Sequence, residues 1–188
     1  LTPEQFAAHN KLKAQLEQLG VIRPLELFNP QHLEVRARED FPADAREGVI
    51  LDTESTGKDA EVAGILELGM VKFVFDPQTY EVLGITGVFS DMNDPGIPIE
   101  PEASLVNGIT QEMVEGKKLD ADAIASFVAG SVIIIAHNAP FDRVLVERFF
   151  PVFAEFHWAC SLRQVDWVRT WGPGASLESI STKQGFFF

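Results

Sequence analysis

An uncharged run of mostly β-branched residues between two helical segments constrains the fold of this chain most strongly. Residues 132–136 have the sequence Val-Ile-Ile-Ile-Ala, which favours a fully buried strand. Helices are predicted before it, over residues 121–129, and after it, over residues 141–149. This order is typical of a central parallel strand in a sheet that is covered by helices.

Three apolar segments earlier in the chain predict three consecutive strands. They cover residues 48–52, 65–75 and 82–89, and residues 76–78 supply turn chemistry between the last two. A loop rich in proline follows, around positions 95–101. We therefore predict an α/β fold with a mixed sheet, in which a three-stranded meander and parallel strands are flanked by helices.

The first 45 residues are predicted to lie outside this sheet. Thr2, Pro3 and Gln5 have the pattern of a capped helix start, and this helix is expected to stop at Gly20. Residues 21–45 mix proline and charge without periodicity, which indicates a connector. We therefore expect an N-terminal helix and connector over residues 1–45 and one main domain over residues 46–188.

The charge and the cysteine content of the chain narrow its possible partners and location. A formal net charge of −13 at pH 7 counts against extended duplex binding through a basic face. No apolar stretch is long enough to cross a bilayer and no leader opens the chain, so we expect no membrane association. The single cysteine, Cys160, cannot form an internal disulfide and indicates a reducing, cytoplasmic location.

Two acids, Asp52 and Glu54, follow the first apolar segment directly. Positions two apart in a strand share a face and lie roughly 7 Å apart, so these carboxylates repel each other unless a cation lies between them. A metal site is the economical solution. The alternative is an ordinary strand end, because a single Asp-x-Glu triplet is common in chains of this length.

A second acid-bearing segment follows the predicted buried strand, at residues 136–142. Asn138 is a good N-cap, Pro140 suits a first turn, and Asp142 then lies in that turn, where the helix dipole favours its ionised form. The carboxyl end of a central strand is also where open α/β sheets usually bind ligands. The alternative is that Asp142 only stabilises its helix. The predicted inward face of this helix consists of Phe141, Val144, Leu145 and Phe149.

The two segments together resemble the first two motifs of the DEDD exonuclease superfamily, in its DnaQ-like (DEDDh) branch. The resemblance rests on Asp52-x-Glu54 at a strand end and, some ninety residues later, on His137-Asn138-x-x-Phe141-Asp142. Residues 106–110 are also similar to a His-Gly-Ile-Thr loop that many members have between these motifs, although Asn107 stands in place of the histidine.

This resemblance implies a ribonuclease H-like fold and a 3′-to-5′ exonuclease that hydrolyses phosphodiester bonds at single-stranded DNA or RNA 3′ ends and releases nucleoside monophosphates. It implies that Asp52, Glu54 and Asp142 are catalytic and bind two Mg²⁺ or Mn²⁺ ions, which oxygen ligands suit. Proofreading and DNA repair are among the roles that it suggests. The expected contacts with the terminal nucleotide are Thr53, Ser55, Asn107, His137, Asn138 and Phe141.

A third family motif, His-x-x-x-x-Asp, carries the general base and a fourth acid, and these 188 residues contain no such pair. His157 and Asp166 are nine positions apart, and Tyr80, the only tyrosine, lies too early for the tyrosine variant. We expect the encoded sequence to continue beyond Phe188 into this motif, and we expect the 46–188 domain to lack its C-terminal helix and to be weakly active or inactive.

Two rival functions remain open. One is a catalytically inactive nuclease fold that binds nucleic acid or a protein partner, because motif matches carry false positives. The other is a thiol enzyme built on Cys160 and His157, although a lone cysteine among apolar residues is more often a buried small side chain.

Overall fold

The computed structural model describes residues 33–187 continuously, and residues 11–12, 15, 18–19 and 26–27 before them. The chain divides into two compact units. One unit is Leu33–Val165, and the other combines Leu1–His32 with Asp166–Phe188.

A five-stranded mixed sheet forms the centre of the Leu33–Val165 unit. Its strands in chain order are β2 (Arg46–Ser55), β3 (Ile65–Phe75), β4 (Val82–Met92), β5 (Ser131–Ala136) and β6 (Trp158–Cys160), and a short β1 (Glu26–Leu27) precedes them in the other unit. The spatial order is β4-β3-β2-β5-β6, with antiparallel pairing from β4 to β2 and parallel pairing from β2 to β6. The predicted meander and parallel addition are confirmed, but the central strand is β2, and β5 lies beside it.

Helices connect the strands of this unit. They are α1 (Pro101–Asn107), α2 (Gln111–Val114), α3 (Ala121–Val128), α4 (Ala139–Phe149) and α5 (Ser161–Gln164). The predicted helices at 121–129 and 141–149 correspond to α3 and α4. Neither α1 nor α2 was predicted. Pro101, the third proline of the predicted loop, begins α1, where a missing N–H costs no hydrogen bond.

The main core lies between one face of the sheet and helices α3 and α4. Val49 and Leu51 of β2 and Ile134 of β5 pack there with Ile124 of α3 and Leu145 of α4, and all five are at most 1% exposed. Each fully buried side chain of this size contributes about 1.5–3 kcal/mol to folding.

The alternate residues project from the opposite face of the sheet. Neighbouring strands there place Val88, Val71, Ile50 and Ile135 side by side, and Val88 and Ile50 are 49% and 51% exposed. Ile135, which lies on the same face, is also only half-buried. The prediction that residues 132–136 form a fully buried strand is therefore wrong, because only one face of β5 is covered by α3 and α4.

A close approach on this second face requires glycine at position 48. A Cβ atom there would lie 2.6 Å from Cζ of the Phe73 ring and 3.0 Å from Cγ2 of Ile133. The Phe73 ring thus occupies the space of the missing side chain.

The other unit contains α6 (Trp167–Trp171), α7 (Leu177–Gln184) and β7 (Phe186–Phe187). Strand β7 pairs in parallel with β1. Most of the predicted N-terminal helix lies outside the described residues, and those described at 11, 12, 15 and 18 are helical. In the described part of the chain, no helix is long and apolar enough to cross a membrane.

Candidate active site

Asp52 and Glu54 lie at the carboxyl end of β2. They alternate with Thr53, so both carboxylates project from the sheet face opposite to the helix-covered core. A register irregularity between Glu54 and Ser55 ends the regular pairing with β3 directly after the second acid. Both acids therefore lie in the regular part of the strand, directly before the irregularity in its pairing.

Asp142 reaches the same end of the sheet from the first turn of α4, which follows β5. Its side chain is 5% exposed, and the Thr53 hydroxyl donates a 2.8 Å hydrogen bond to its Oδ1 atom. This bond connects the two motifs across 89 positions of sequence. Thr53 therefore holds the second-motif acid next to the first motif.

The predicted inward face of α4 is partly wrong. The buried residues are Ala139, Asp142, Leu145 and Val146, whereas Phe149 is 41% exposed. The helix is rotated so that Asp142 shares the buried face with these apolar residues and Phe149 does not. Asn138 occupies the N-cap position as predicted, but its side chain makes no capping hydrogen bond.

The electrostatics of the three acids differ from those expected of surface carboxylates. Burial raises the pKa of Asp142 to about 6, and repulsion from Asp52 adds to this while the Thr53 hydrogen bond opposes it. The helix dipole was expected to favour the ionised form. The dipole stabilises the ionised form by about 0.3–1 kcal/mol, which is less than the free energy lost when water is removed from a buried carboxylate.

The pKa values of Asp52 and Glu54 are also raised. Loss of surrounding water is the main cause for both, although Asp52 keeps one side open to solvent. Repulsion from Asp52 raises the pKa of Glu54 further, whereas a hydrogen bond from Asn107 lowers it. His137 partly offsets the shift of Asp52. The positively charged side chains and hydrogen-bond donors of the site therefore compensate only part of the negative charge of its carboxylates.

One further acid at this site was missed by the sequence analysis. Glu67 of β3 is the direct strand partner of Glu54, and its charge raises the pKa of both Glu54 and Asp52. The Ser90 hydroxyl donates a 2.8 Å hydrogen bond to Glu67 Oε1. A lone glutamate inside the apolar segment 65–70 was the signal that could have identified it.

Carboxylates that repel one another are the donor type that Mg²⁺ and Mn²⁺ prefer, so the chemistry of this set fits a divalent cation. Their positions fit less well. Within the described ranges, no three Asp, Glu, His or Cys side chains form a group that could hold a metal ion. An ion at this site would therefore need the acids to move closer or an additional ligand.

The expected nucleotide contacts lie around these acids. The Thr53 hydroxyl proton is committed to Asp142, and the Ser55 hydroxyl donates a 2.7 Å hydrogen bond to the Gly57 carbonyl. Asn107 accepts from the Ile109 N–H at 3.0 Å and donates weakly to the Ser55 carbonyl at 3.4 Å. It thereby ties the end of α1 to the end of β2.

The remaining three candidates surround the start of α4. His137 Nδ1 lies 2.9 Å from the Ser161 hydroxyl. The Asn138 side chain is exposed, whereas Phe141 packs against the main core. A core role for Phe141 therefore fits its position.

A small cleft of about 100 Å³ adjoins Glu54. Ser55, Lys58 and Asn107 line it together with Glu100. The cleft lies between the end of β2 and α1, and it is the size of a small group and not of a whole nucleotide.

Cys160, the basis of the thiol alternative, is buried and free, with 8% of its surface exposed. This is the environment expected of a small apolar core residue. The structure therefore gives no support to a thiol enzyme.

The part of the chain that is similar to known proteins includes the three acids of this site. The exonuclease family of RNase T matches residues 49–172, more than half of the chain. Exodeoxyribonuclease 10 of Escherichia coli is 33% identical over 132 residues, which are 70% of this chain and 51% of that protein. A PolC-type DNA polymerase III of Thermotoga petrophila is 34% identical over 123 residues, 64% of this chain and 8% of that protein.

A solved structure of exonuclease X in complex with 5′-overhanging duplex DNA has the same fold. It superposes with a TM-score of 0.53 and 27% identity, over 73% of this chain and 72% of that one. The chain spans about half of one of the two curated relatives named above and 8% of the other. The fold is ribonuclease H-like, and the chain belongs to the RNase T exonuclease family within the DnaQ-like DEDD superfamily.

Proposed function

We propose that this chain carries the catalytic carboxylates of a 3′-to-5′ exonuclease that removes nucleoside monophosphates from single-stranded 3′ ends by a two-metal-ion reaction. The observation that carries the proposal is the hydrogen bond between Thr53 and Asp142, which joins the acids of two separate motifs at one end of the sheet. Family membership supports hydrolysis of nucleic acid. The direction, the strand preference and the metal mechanism are the new part of the proposal.

Exonucleases of this family generally use divalent metal ions. In this chain Asp52, Glu54 and Asp142 would hold Mg²⁺ or Mn²⁺, and such ions supply activation of the attacking water and stabilisation of the leaving 3′ oxygen. Thr53 orients the Asp142 carboxylate through the hydrogen bond to Oδ1. Because the pKa values of the three acids are raised, protons compete with a cation up to a higher pH than at surface carboxylates, so cation binding should strengthen as pH rises.

A strand end is the substrate that suits this site best. The acids lie at the carboxyl edge of β2, and a net charge of −13 disfavours a long duplex footprint. Exonuclease X, the relative solved with DNA, is described with a 5′-overhanging duplex.

The test uses an oligonucleotide labelled at its 5′ end, with Mg²⁺, with Mn²⁺ and with excess EDTA. Stepwise shortening from the 3′ end is expected only with metal, and Asp52→Asn should abolish it. Asp44→Asn, which changes an exposed acid outside the site, is the matched control. Shortening in EDTA, or equal rates for the two variants, would refute the metal mechanism.

A second readout is needed because the third-motif base and acid have no counterpart in this sequence. We therefore expect slow cleavage, and binding of Mn²⁺ measured by electron paramagnetic resonance tests the site independently. Mn²⁺ binding that is lost in Asp52→Asn but retained in Asp44→Asn supports the proposal.

One observation favours a second candidate function, an inactive nuclease fold that binds nucleic acid or a protein partner. In the described part of the chain, the acids do not form a group that could hold a metal ion. This candidate predicts oligonucleotide binding that is the same with Mg²⁺ and with EDTA, and no shortening at any metal concentration.

A further inference from the structure

An open groove of about 560 Å³ lies beside α4, which contributes Ala139, Pro140, Arg143 and Val144 to its lining but not Asp142. Strand β6 and the short helix α5 form its other wall, and all of its lining residues belong to the Leu33–Val165 unit. The side chains that matter below are Arg143, Trp158, Arg163 and Gln164.

The charge of this groove is opposite to that of the chain. Two arginines line it, and no Asp or Glu does, although the chain carries 28 acids against 15 lysines and arginines. The cleft next to Glu54 instead contains Glu100 and Glu102. The groove is therefore suited to a negatively charged ligand.

The two arginines differ in how available they are. Arg143 shares its charge with Glu147, one helical turn later, at 2.7 Å between Nε and Oε1. Arg163 is exposed and makes no ion pair within the described residues. Arg163 is thus the stronger candidate for an anionic group such as a phosphate.

An aromatic side chain lies in the same groove. Trp158 is half-buried, its indole N–H donates a 3.3 Å hydrogen bond to the Phe153 carbonyl, and its ring packs against the Phe153 ring at 6.3 Å between centroids. The ring is therefore held in place while part of it reaches the groove. Cations next to a fixed aromatic ring are the combination by which proteins hold single-stranded nucleic acid.

The groove and the acids lie along one edge of the sheet. Strands β2, β5 and β6 are parallel neighbours, so their carboxyl ends, which lead to Glu54, His137 and Ser161, are at the same edge. The hydrogen bond between His137 and Ser161 connects the last two. Two strand spacings of about 4.8 Å separate β2 from β6, roughly 10 Å in all.

We propose that this groove binds the nucleic acid strand upstream of its 3′ end, with a phosphate on Arg163, a weaker contact at Arg143 and a base against Trp158. The proposal rests on the proposed function, because the strand end has to lie at the acids. The groove would thus be a second contact region in addition to the acids. A dinucleotide is too short to contact both regions at once.

The test measures binding without catalysis. Fluorescence anisotropy in EDTA follows a labelled single strand of about ten nucleotides and a labelled dinucleotide over a range of salt concentrations. Arg163→Gln is compared with Arg46→Gln, which removes the same charge at the opposite, amino end of β2, where the arginine is also exposed.

For the longer strand we expect Arg163→Gln to bind about tenfold more weakly at low salt and to lower the magnitude of the salt slope by about 1, the value of one phosphate contact. Dinucleotide binding and Arg46→Gln should match the unaltered chain. Equal effects of the two variants, equal losses for both ligands, or no binding of the longer strand would overturn the proposal.

Cleavage assays on the same proteins separate this inference from the proposed function. If Arg163→Gln weakens binding of the longer strand only, while the chain shows neither metal-dependent cleavage nor Mn²⁺ binding that is lost in Asp52→Asn, the groove would be retained and the nuclease site rejected. Metal-dependent cleavage with an Arg163→Gln variant that binds the longer strand normally would retain the nuclease site and reject the groove.

Discussion

Replacement of Asp142 by asparagine should stabilise the metal-free chain at neutral and alkaline pH. The pKa of Asp142 is raised from 3.8 to about 6, mainly by burial, so the folded state retains a proton that the unfolded state has lost between these values. Stability therefore falls as pH rises through this window and levels off above about pH 6. A difference of about two pKa units corresponds to about 3 kcal/mol at about 1.4 kcal/mol per unit.

Asparagine at position 142 removes the buried charge and keeps an oxygen that can accept the Thr53 hydrogen bond. The free energy of unfolding of Asp142→Asn should therefore equal that of the unaltered chain near pH 3.5 and exceed it by up to about 3 kcal/mol near pH 8. Urea unfolding in EDTA, followed by circular dichroism at several pH values, measures this difference. Asp44→Asn, at an exposed position, should show no such pH-dependent gain.

Two results would contradict this reasoning. A difference that is constant with pH would mean that the Asp142 charge is not the cause, and a less stable variant at pH 8 would mean that the carboxylate is satisfied by the protein itself. Addition of Mg²⁺ at pH 8 should narrow the gap, because an ion that binds the folded carboxylates stabilises the unaltered chain preferentially.

Three further changes test separate contacts. Gly48→Ala should destabilise the fold by about 1–3 kcal/mol in thermal unfolding, because its Cβ would lie 2.6 Å from the Phe73 ring; an unchanged midpoint would show that the ring moves freely. Thr53→Val should raise the pKa of Asp142 further, measured by NMR titration, whereas Thr53→Ser should leave it unchanged; equal values for both would mean that the hydroxyl is not the donor that matters. Arg148→Gln should speed amide exchange around Ala63, whose carbonyl accepts from Arg148 at 3.0 Å, and unchanged exchange there would show that the loop is held by its own turns.

The four strands β2 to β5 could be predicted because their signals are local, whereas the short β1, β6 and β7 were not predicted. The predicted segment 65–75 coincides with β3, and Asp76 accepts hydrogen bonds from the backbone of Gln78 and Thr79 in the predicted turn. Helix α1 was missed because its first residue is a proline in a proline-rich loop, although Gly108, left-handed after its last turn, was a usable signal for its end.

The site was predicted less completely because its arrangement depends on contacts between distant segments. Periodicity assigned Phe149 to the inward face of α4, but the buried face instead includes Asp142, whose hydrogen-bond partner lies on β2. Glu67 is a lone acid in an apolar segment of the sequence, but its place beside the other acids follows from its pairing with Glu54. Neither the burial of Asp142 on α4 nor the pairing of Glu67 with Glu54 can be predicted from the residues next to them in sequence.

The hydrogen bond between Thr53 and Asp142 also has a consequence for folding kinetics. The meander from β2 to β4 can form from a continuous stretch of chain, but this bond closes a loop of 89 positions and requires β5 to have docked on β2. Contacts of such long sequence separation are slow to form, because the loop-closure entropy must be lost before the contact stabilises the chain. A chain that has collapsed without docking β5 would therefore hold Asp52 and Glu54 apart from Asp142, and cation affinity would appear only in the last, slow phase of refolding.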